Sequence, residues 1–335
     1  MKAKILFLAL MLVAVPSAAR AQDDPDMDRK RVMPNYYGST GFFDLFDPDT
    51  LRTLDYVGGP QFHQYHRDPL DLRVRHLMLG AAFGLMDRLE FFISWYAATE
   101  VKRRNLSAPI FTQGVELAPF DQYNRLSQDP FPPPPFDYYP SFAFLAHKTG
   151  RDNSDGFTGL KYNLLSERRG DPLGLAVIGQ MKFNTEREMR VLFRGTRSGT
   201  TDGGVKFAAS KKIGRLKLLT SHGVIFTGDA IYPFGRQFPI PNEWQSAVGA
   251  TYNLSEKLKV TGEFYSLTFW GSRIPSIHEV NPRDLSIGVQ YFPWDSLGFT
   301  AGYRRYLNPL YDESSHNGIV FGFHVRKVFR FLARD

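Results

Sequence analysis

The chain has 335 residues, and none of them is cysteine. Disulfide frameworks, thiolate metal sites and cysteine nucleophiles are therefore excluded. Long hydrophobic runs are also scarce, because no stretch beyond residue 21 approaches the roughly 18 consecutive apolar residues of a membrane-spanning helix. The sequence thus predicts either a soluble exported protein or one that crosses a membrane as strands.

Positive charge exceeds negative charge only modestly. The formal net charge is +7 at pH 7, and it falls to +4 without the first 21 residues, which contain Lys2, Lys4 and Arg20 and no acid. Nucleic-acid-binding domains carry stronger and more clustered basic charge. We therefore expect no nucleic-acid partner.

The N-terminus has the three parts of a secretory signal peptide. A basic start at residues 2–4 precedes an apolar run over residues 5–15, and Ala19-Arg20-Ala21 has the small-x-small form of a cleavage site. The apolar run is too short to span a bilayer as a helix. We predict a cleavable signal peptide over residues 1–21 and export in a Gram-negative bacterium.

Aromatic side chains and glycine are abundant. The 29 Phe, 16 Tyr and 4 Trp make up 15% of the chain, beside 29 Gly. This composition is typical of a membrane β-barrel with aromatic girdles and tight turns. The mean hydropathy of −0.29 is low for a membrane protein. A barrel accounts for that value, because every second residue of each strand faces the interior.

Alternation of apolar and polar residues recurs along the chain, as in half-buried strands. Over 284–292, an apolar set at Leu285, Ile287, Val289 and Tyr291 alternates with a polar and small set. Runs of this kind are about 10–14 residues long, whereas strands of soluble sandwiches usually have roughly 5–6. A tilted membrane strand needs about 9–11 residues. Strand length therefore favours a membrane barrel.

Short and long connections between these runs alternate strictly along the chain, as in barrels with short periplasmic turns and longer outer loops. We predict an all-β fold, a transmembrane antiparallel up-and-down β-barrel of about 12 strands, with 10 to 14 open. The predicted strands are roughly 58–66, 71–84, 87–103, 155–166, 172–184, 201–212, 215–228, 243–254, 257–270, 283–293, 296–307 and 317–330.

Two regions are expected to lie outside the strands. Residues 22–57 are polar, then aromatic, and form a periplasmic or lumenal lead, so that the barrel itself covers 58–335. A long outer loop is predicted at about 105–154. It contains the proline-rich stretch 129–140, which can form neither a strand ladder nor a helix. We interpret that stretch as a stiff solvated loop, with partner recognition as the alternative.

Together these features resemble the bacterial outer-membrane β-barrel class, in its porin-like or OmpA-type forms, over essentially the whole chain. Residues 39–51, Ser-Thr-Gly-Phe-Phe-Asp-Leu-Phe-Asp-Pro-Asp-Thr-Leu, are similar to a lead segment of some uncharacterised porin-like barrels. That resemblance implies a stretch that enters the barrel near its periplasmic mouth. One departure is that residues 332–335 follow the terminal aromatic Phe331, where many barrels end on the aromatic itself.

The phase of the alternation assigns a set of charged residues to the lumen, with six Lys or Arg against three acids. The predicted lumen-lining residues are Glu90, Lys161, Lys182, Lys206, Lys259, Glu263, Asp284, Arg304, His324 and Arg326. A basic lumen attracts anions and repels cations. The alternative is that these charges pair across a narrow barrel and close it, since small barrels fill with side chains.

The sequence therefore predicts a passive pore for small, preferentially anionic solutes. The alternative is a plugged structural or surface-interaction barrel, and a barrel hydrolase is a distant third. No catalytic residue, metal or cofactor is assigned. Ser221 and His222 are adjacent and would point to opposite faces of a strand, and Ser314 and His316 lie in a predicted loop. The expected partners are outer-membrane lipid, the barrel-assembly machinery and small anionic solutes.

Overall fold

The computed structural model describes most of the chain beyond the N-terminus. The described residues are 31–67, 72–103, 110–112, 115–117, 149–153, 155–183, 200–228, 230–231, 237–238, 241–271, 281–308 and 317–328. The predicted signal peptide, the proline-rich stretch and the Ser314/His316 pair lie outside these residues.

Twelve long antiparallel strands form the body of the molecule. They are β1 (Asp55–Arg67), β2 (Leu72–Met86), β3 (Leu89–Arg103), β4 (Gly156–Leu165), β5 (Gly174–Phe183), β6 (Asp202–Ile213), β7 (Leu216–Phe226), β8 (Asn242–Ser255), β9 (Leu258–Trp270), β10 (Arg283–Trp294), β11 (Leu297–Tyr306) and β12 (Asn317–Val328). Each strand pairs with its neighbours along the chain, in the order of an up-and-down meander.

The first and last strands close the sheet on itself. β1 pairs antiparallel with β12 from Asp55 opposite Val328 to Gln64 opposite Ile319. Closure leaves no unpaired strand edge, which is what the interior of a bilayer requires of a β-structure. The predicted fold class, a closed antiparallel barrel of about 12 strands, is confirmed, and each strand begins and ends within three residues of its predicted bounds.

The described connections are short at the end of the barrel where β1 begins. Asp87-Arg88, Gly214-Arg215, Glu256-Lys257 and Asp295-Ser296 make four of these turns, and the β4–β5 turn includes a 3-10 helix at Glu167–Arg169. We call this the short-turn end; the sequence predicts it to be periplasmic. At the opposite end, Thr149–Asp152 adds a short strand that pairs with the last residues of β3.

The two faces of the strands differ as the alternation predicts. On β10, Leu285, Ile287, Val289 and Tyr291 are all at least 41% exposed on the outside, whereas Asp284, Ser286 and Gln290 are buried inside. Large apolar side chains cover the outer surface in the same way on the other strands. Within the described residues, no helix is long and apolar enough to cross a membrane.

Candidate functional site: the barrel lumen

Residues 31–54, which we call the inner segment, precede β1 and lie inside the barrel. Near one end of the segment, the Arg31 guanidinium donates to the carbonyl of Glu256 and lies 3.3 Å from the Asp295 carboxylate. Towards the other end, Thr50 Oγ1 donates to the carbonyl of Asp87 at 2.7 Å. All three partners lie in short turns. The inner segment therefore starts and finishes at the short-turn end, and its middle part reaches further into the lumen.

The inner segment holds a compact turn within the lumen. The Asn35 backbone N–H donates to the Ser39 carbonyl at 2.7 Å, and the Asn35 side chain donates to the Leu45 carbonyl at 3.1 Å. Within this turn, between Asn35 and Ser39, Gly38 has a φ of +92°, a left-handed conformation that favours glycine. A Cβ atom on Gly38 would lie only 2.2 Å from the Ile93 carbonyl oxygen of β3. Glycine thus lets the turn lie directly against the wall.

Glycines of the wall receive the larger side chains of the inner segment. The Phe43 ring covers Gly288 and Gly302, where a Cβ would meet the ring at 2.6 Å in both cases. On the other side, a Cβ on Gly249 would lie 2.6 Å from Leu45 Cδ1. These inward glycines leave the volume that the two apolar side chains fill, as close packing requires.

A fully buried ion pair of the wall anchors the centre of the inner segment. Lys161 Nζ lies 2.9 Å from the Glu90 carboxylate, and both side chains are 0% exposed. The same carboxylate accepts hydrogen bonds from Ser39 Oγ at 2.7 Å and from the backbone N–H of Thr40 at 3.0 Å. Lys161 also donates to the Asp47 carbonyl at 2.9 Å. The buried charges are thus satisfied partly by the wall and partly by the inner segment, as burial of ions demands.

A second acidic residue, on β9, binds the backbone of the inner segment. Glu263 accepts hydrogen bonds from the backbone N–H groups of Asp44 at 2.9 Å and Leu45 at 3.3 Å. The Arg304 guanidinium of β11 pairs with the Asp44 carboxylate and lies 3.3 Å from that of Asp284. An acceptor of β9 and a donor of β11 therefore meet at Asp44 of the inner segment.

The mouth at the short-turn end carries a charge network. Lys217 of β7 donates to Asp47 at 2.8 Å and to Asp49 at 3.0 Å, and Arg168 lies 3.3 Å from Asp49. Burial alone would raise the pKa of the Asp49 carboxyl. The cations of Lys217 and Arg168 outweigh burial and hold that pKa below its ordinary value. Asp49 therefore stays ionised at neutral pH and binds the mouth to the inner segment.

Three further basic residues of the wall have partners close by. Arg326 pairs with Asp55, and Lys182 with Asp202. Lys259 Nζ donates to the carbonyl of Arg31 at 2.9 Å. Two of these contacts are ion pairs, and the third is to a backbone dipole of the inner segment.

Lys206 of β6 differs from the lumenal cations that pair with carboxylates. Its ammonium lies 4.0 Å from the centre of the Tyr37 ring and 5.0 Å from that of Phe46. No carboxylate within the described residues lies within ion-pair distance of it, although the residue is only 2% exposed. The two rings, stacked at 5.2 Å, provide the cation–π environment that replaces a counter-ion.

The inner segment leaves a small cavity along one wall. Its lining includes Met33, Pro34 and Phe43 from the segment and Gln61, Thr261 and Gln290 from the strands. The lining thus combines apolar side chains with amides and a hydroxyl. This is a gap between the inner segment and the β9–β12 side of the barrel.

The ten residues predicted to line the lumen all lie on the inward face of the sheet. Their side chains are buried or nearly so, with Lys182 the most exposed at 13%. The structure brings Lys161 to Glu90 and Arg304 to Asp284, whereas Lys182, Lys206, Lys259 and Arg326 take partners outside the predicted set.

Sequence reasoning missed the acids of the inner segment, Asp44, Asp47 and Asp49, and the cations Lys217 and Arg168. The cluster of three acids within six residues of the predicted lead was the available signal, because a basic lumen needs counter-charge. Leu216 and Leu218 on either side of Lys217 are consistent with an inward lysine, but the apolar Leu219 on the same face obscured the phase of the alternation in β7.

No catalytic grouping emerges among the described serine and histidine side chains singled out by sequence. Ser221 is buried on the inward face, whereas His222 is exposed on the outward face. Within the described ranges, no group of three His, Asp or Glu side chains could hold a metal ion.

Comparison with known proteins gives a match in structure only. No family model matches the chain, and no curated protein matches it. An outer-membrane channel from Pseudomonas putida F1 superposes with a TM-score of 0.56 at 9% identity, covering 84% of this chain and 98% of that one. The NanC porin has a TM-score of 0.46 at 9% identity, covering 79% and 98%, which is too weak a likeness to carry an argument.

The first of these similarities, at so low an identity, concerns the fold. Together with the closed twelve-stranded sheet and the apolar outer face, it confirms the resemblance predicted from the sequence. The chain has the fold of a bacterial outer-membrane β-barrel.

Proposed function

We propose that the protein is a passive channel for small solutes whose aperture is set from within by the inner segment. The observation that carries this proposal is the position of residues 31–54, which lie inside a closed barrel and are held to its wall by hydrogen bonds and ion pairs instead of strand pairing. A segment bound through Glu90, Glu263 and Lys217 narrows the passage without belonging to the wall. Small solutes would pass between the segment and the wall.

The proposed location is the outer membrane of a Gram-negative bacterium. The apolar outer face supports it, because lipid tails require such a surface around a barrel. Residues 1–21 would direct export as a cleavable signal peptide, and the barrel-assembly machinery would insert the mature chain. Residues 22–57 would form the lead into the lumen, and about 105–154 the long outer loop.

A preference for anions would depend on few of the lumenal cations. Lys161, Lys182, Arg304 and Arg326 are neutralised by carboxylates. Lys206 lies over aromatic rings instead, and no carboxylate among the described residues is within ion-pair distance of it, so its charge is compensated less directly than theirs. We therefore assign the anion preference mainly to Lys206.

Single-channel recording in planar bilayers tests the channel directly. Correctly folded full-length protein should give small discrete conductance steps, and in a salt gradient the reversal potential should indicate anion preference. Lys206→Met should move that potential towards neutrality. Folded protein that conducts no ions would sink the channel proposal, and an unchanged potential in the variant would remove Lys206 from it.

A second candidate is a closed barrel that serves a structural or surface-interaction role. The observation that favours it is the pairing of most lumenal charges, which makes the inner segment a well-bound plug. Absence of conductance together with tight retention of the segment would select this alternative. We propose no enzymatic activity; hydrolysis that disappears in Ser314→Ala or His316→Ala would contradict that.

A further inference from the structure

The outward face of β1, β2 and β3 becomes basic towards the end of the barrel opposite the short turns, which we call the outer-loop end. The strand register places Gln64, Arg75 and Glu100 in one row across these strands, and it places Arg73 opposite Lys102 in the next row. All five residues alternate with buried inward residues of the same strands and therefore point away from the lumen. We call Arg73, Arg75 and Lys102 the basic cluster.

The basic cluster lies just beyond the apolar band of the outer surface. On the same face of β2, Leu77, Leu79 and Leu85 are each at least 41% exposed. Residues 77–85 extend about 27 Å along the strand, which for a tilted strand fills most of an apolar band of about 25 Å. Arg75 is the next outward residue after Leu77, so the basic cluster stands at the depth of the lipid headgroups.

A single carboxylate is shared by the two arginines of the basic cluster. Glu100 Oε1 lies 3.3 Å from Arg75 Nη1 and 4.0 Å from Arg73 Nη2. Arg75 Nε also donates to the neutral Gln64 side chain at 2.8 Å. In the two rows on β1–β3, the three cations of the basic cluster therefore face one acid, which leaves an excess of two positive charges.

The basic cluster also keeps hydrogen-bond donors that the described part of the chain does not use. Arg73 Nε has no acceptor there, and Lys102 forms no ion pair with a described residue. Guanidinium groups bind phosphate oxygens in bidentate pairs, and lysine binds them as a point charge. Both the net charge and the remaining donors therefore suit a phosphate group.

Outward residues at the same level on other strands show that the basic cluster is local to one side. On β7, β8 and β9 they include Phe226, Trp244 and Trp270, which are each at least 41% exposed and typical of an aromatic girdle. Basic residues occur again on β10 and β11, where Arg283 and Arg305 are exposed on the outward face. These basic residues thus lie from β10 round to β3, across the pairing of β12 with β1.

We propose that the basic cluster binds phosphate groups of the glycolipid that forms the outer leaflet of a Gram-negative outer membrane. Basic clusters at headgroup level recognise anionic lipids, and the outer-loop end faces that leaflet when the short turns are periplasmic. A phosphate monoester carries about −1.5 to −2 charges at pH 7, which matches the excess charge of the cluster. The proposal rests on the membrane location and orientation proposed above but not on channel activity, so a non-conducting protein would leave it standing.

Native mass spectrometry of the full-length protein, titrated with lipid in detergent, tests the chemistry of the site. The probes are bisphosphorylated lipid A, the same lipid after enzymatic removal of its phosphates, and phosphatidylglycerol. The wild-type protein should bind the bisphosphorylated lipid at least about tenfold more tightly than either of the others. Equal binding of the dephosphorylated lipid or of phosphatidylglycerol would overturn the proposal. Cell fractionation tests the outer-membrane location separately, so the two kinds of failure are distinguishable.

Two double variants test the position of the site. Arg73→Gln/Arg75→Gln should weaken the binding of bisphosphorylated lipid A at least about tenfold. Arg215→Gln/Lys257→Gln removes two exposed charges at the short-turn end and should leave that binding unchanged, so it is the matched control. A heat-modifiable band on gels verifies that each variant is folded. Unchanged binding in the first variant, or equal weakening in both, would contradict the assignment of the site to the basic cluster.

Discussion

Lysines in two neighbouring parts of the lumen are held by different means. Towards the short-turn end, Lys217 meets Asp47 and Asp49, and Lys161 meets Glu90, so cations face carboxylates. Further inside, Lys206 lies over Tyr37 and Phe46 without a carboxylate at ion-pair distance among the described residues. The comparison teaches that lumenal charge is not equivalent to free charge, because the chain's own N-terminal acids neutralise part of the basic wall.

Substitutions of Lys161 and Lys206 test the comparison most strongly. Lys161→Met should lower the free energy of unfolding by about 3–5 kcal/mol, because it leaves the buried Glu90 carboxylate without its counter-ion. Lys206→Met should change it by less than about 1 kcal/mol, because no ion pair among the described residues is broken and an apolar side chain of similar volume remains. Urea unfolding in lipid vesicles measures both. Equal losses would show that the two lysines are held alike, contrary to the comparison.

Gly→Ala substitutions at two glycines with positive φ distinguish the cost of contact with the barrel wall from the cost of backbone strain. Gly170, in the β4–β5 turn, has a φ of +87° and open space around its Cβ position, so Gly170→Ala should cost only about 1–2 kcal/mol. Gly38→Ala meets the Ile93 carbonyl as well and should cost a further roughly 1–3 kcal/mol. The same unfolding assay applies. If Gly38→Ala were no worse than Gly170→Ala, the turn could not lie against β3.

The charge network at the mouth predicts a pH dependence. The pKa of Asp49 is held below its ordinary value, so its contribution to stability is fully present above its unfolded pKa of about 3.9 and is lost as pH falls further. Asp49→Asn should therefore be less stable than wild type by a constant amount between about pH 5 and 8. The difference should shrink below about pH 4. If the stability difference between wild type and Asp49→Asn instead grew on acidification, the pKa of Asp49 could not be lowered by Lys217 and Arg168.

The sequence predicted the wall of the barrel far better than its contents. Alternation has a period fixed by strand geometry, so the inward positions of Lys161, Glu263 and Asp284 followed from the pattern. The inner segment has no period, because its turn at Gly38 and its contacts depend on residues distant in sequence. Asp44 meets Arg304 across 260 positions, and no local signal encodes such a pairing. For the same reason, the sequence left open whether the lumenal charges were paired.

The proposed role of residues 31–54 in setting the aperture from inside the barrel can be measured as single-channel conductance. Removal of residues 31–50, with β1 left intact, should give a folded barrel whose conductance is several-fold larger than that of the full chain. Its anion preference should also be stronger, because Lys217 and Arg304 lose the carboxylates of Asp44, Asp47 and Asp49. A folded variant with unchanged conductance and unchanged selectivity would show that the inner segment does not set the aperture.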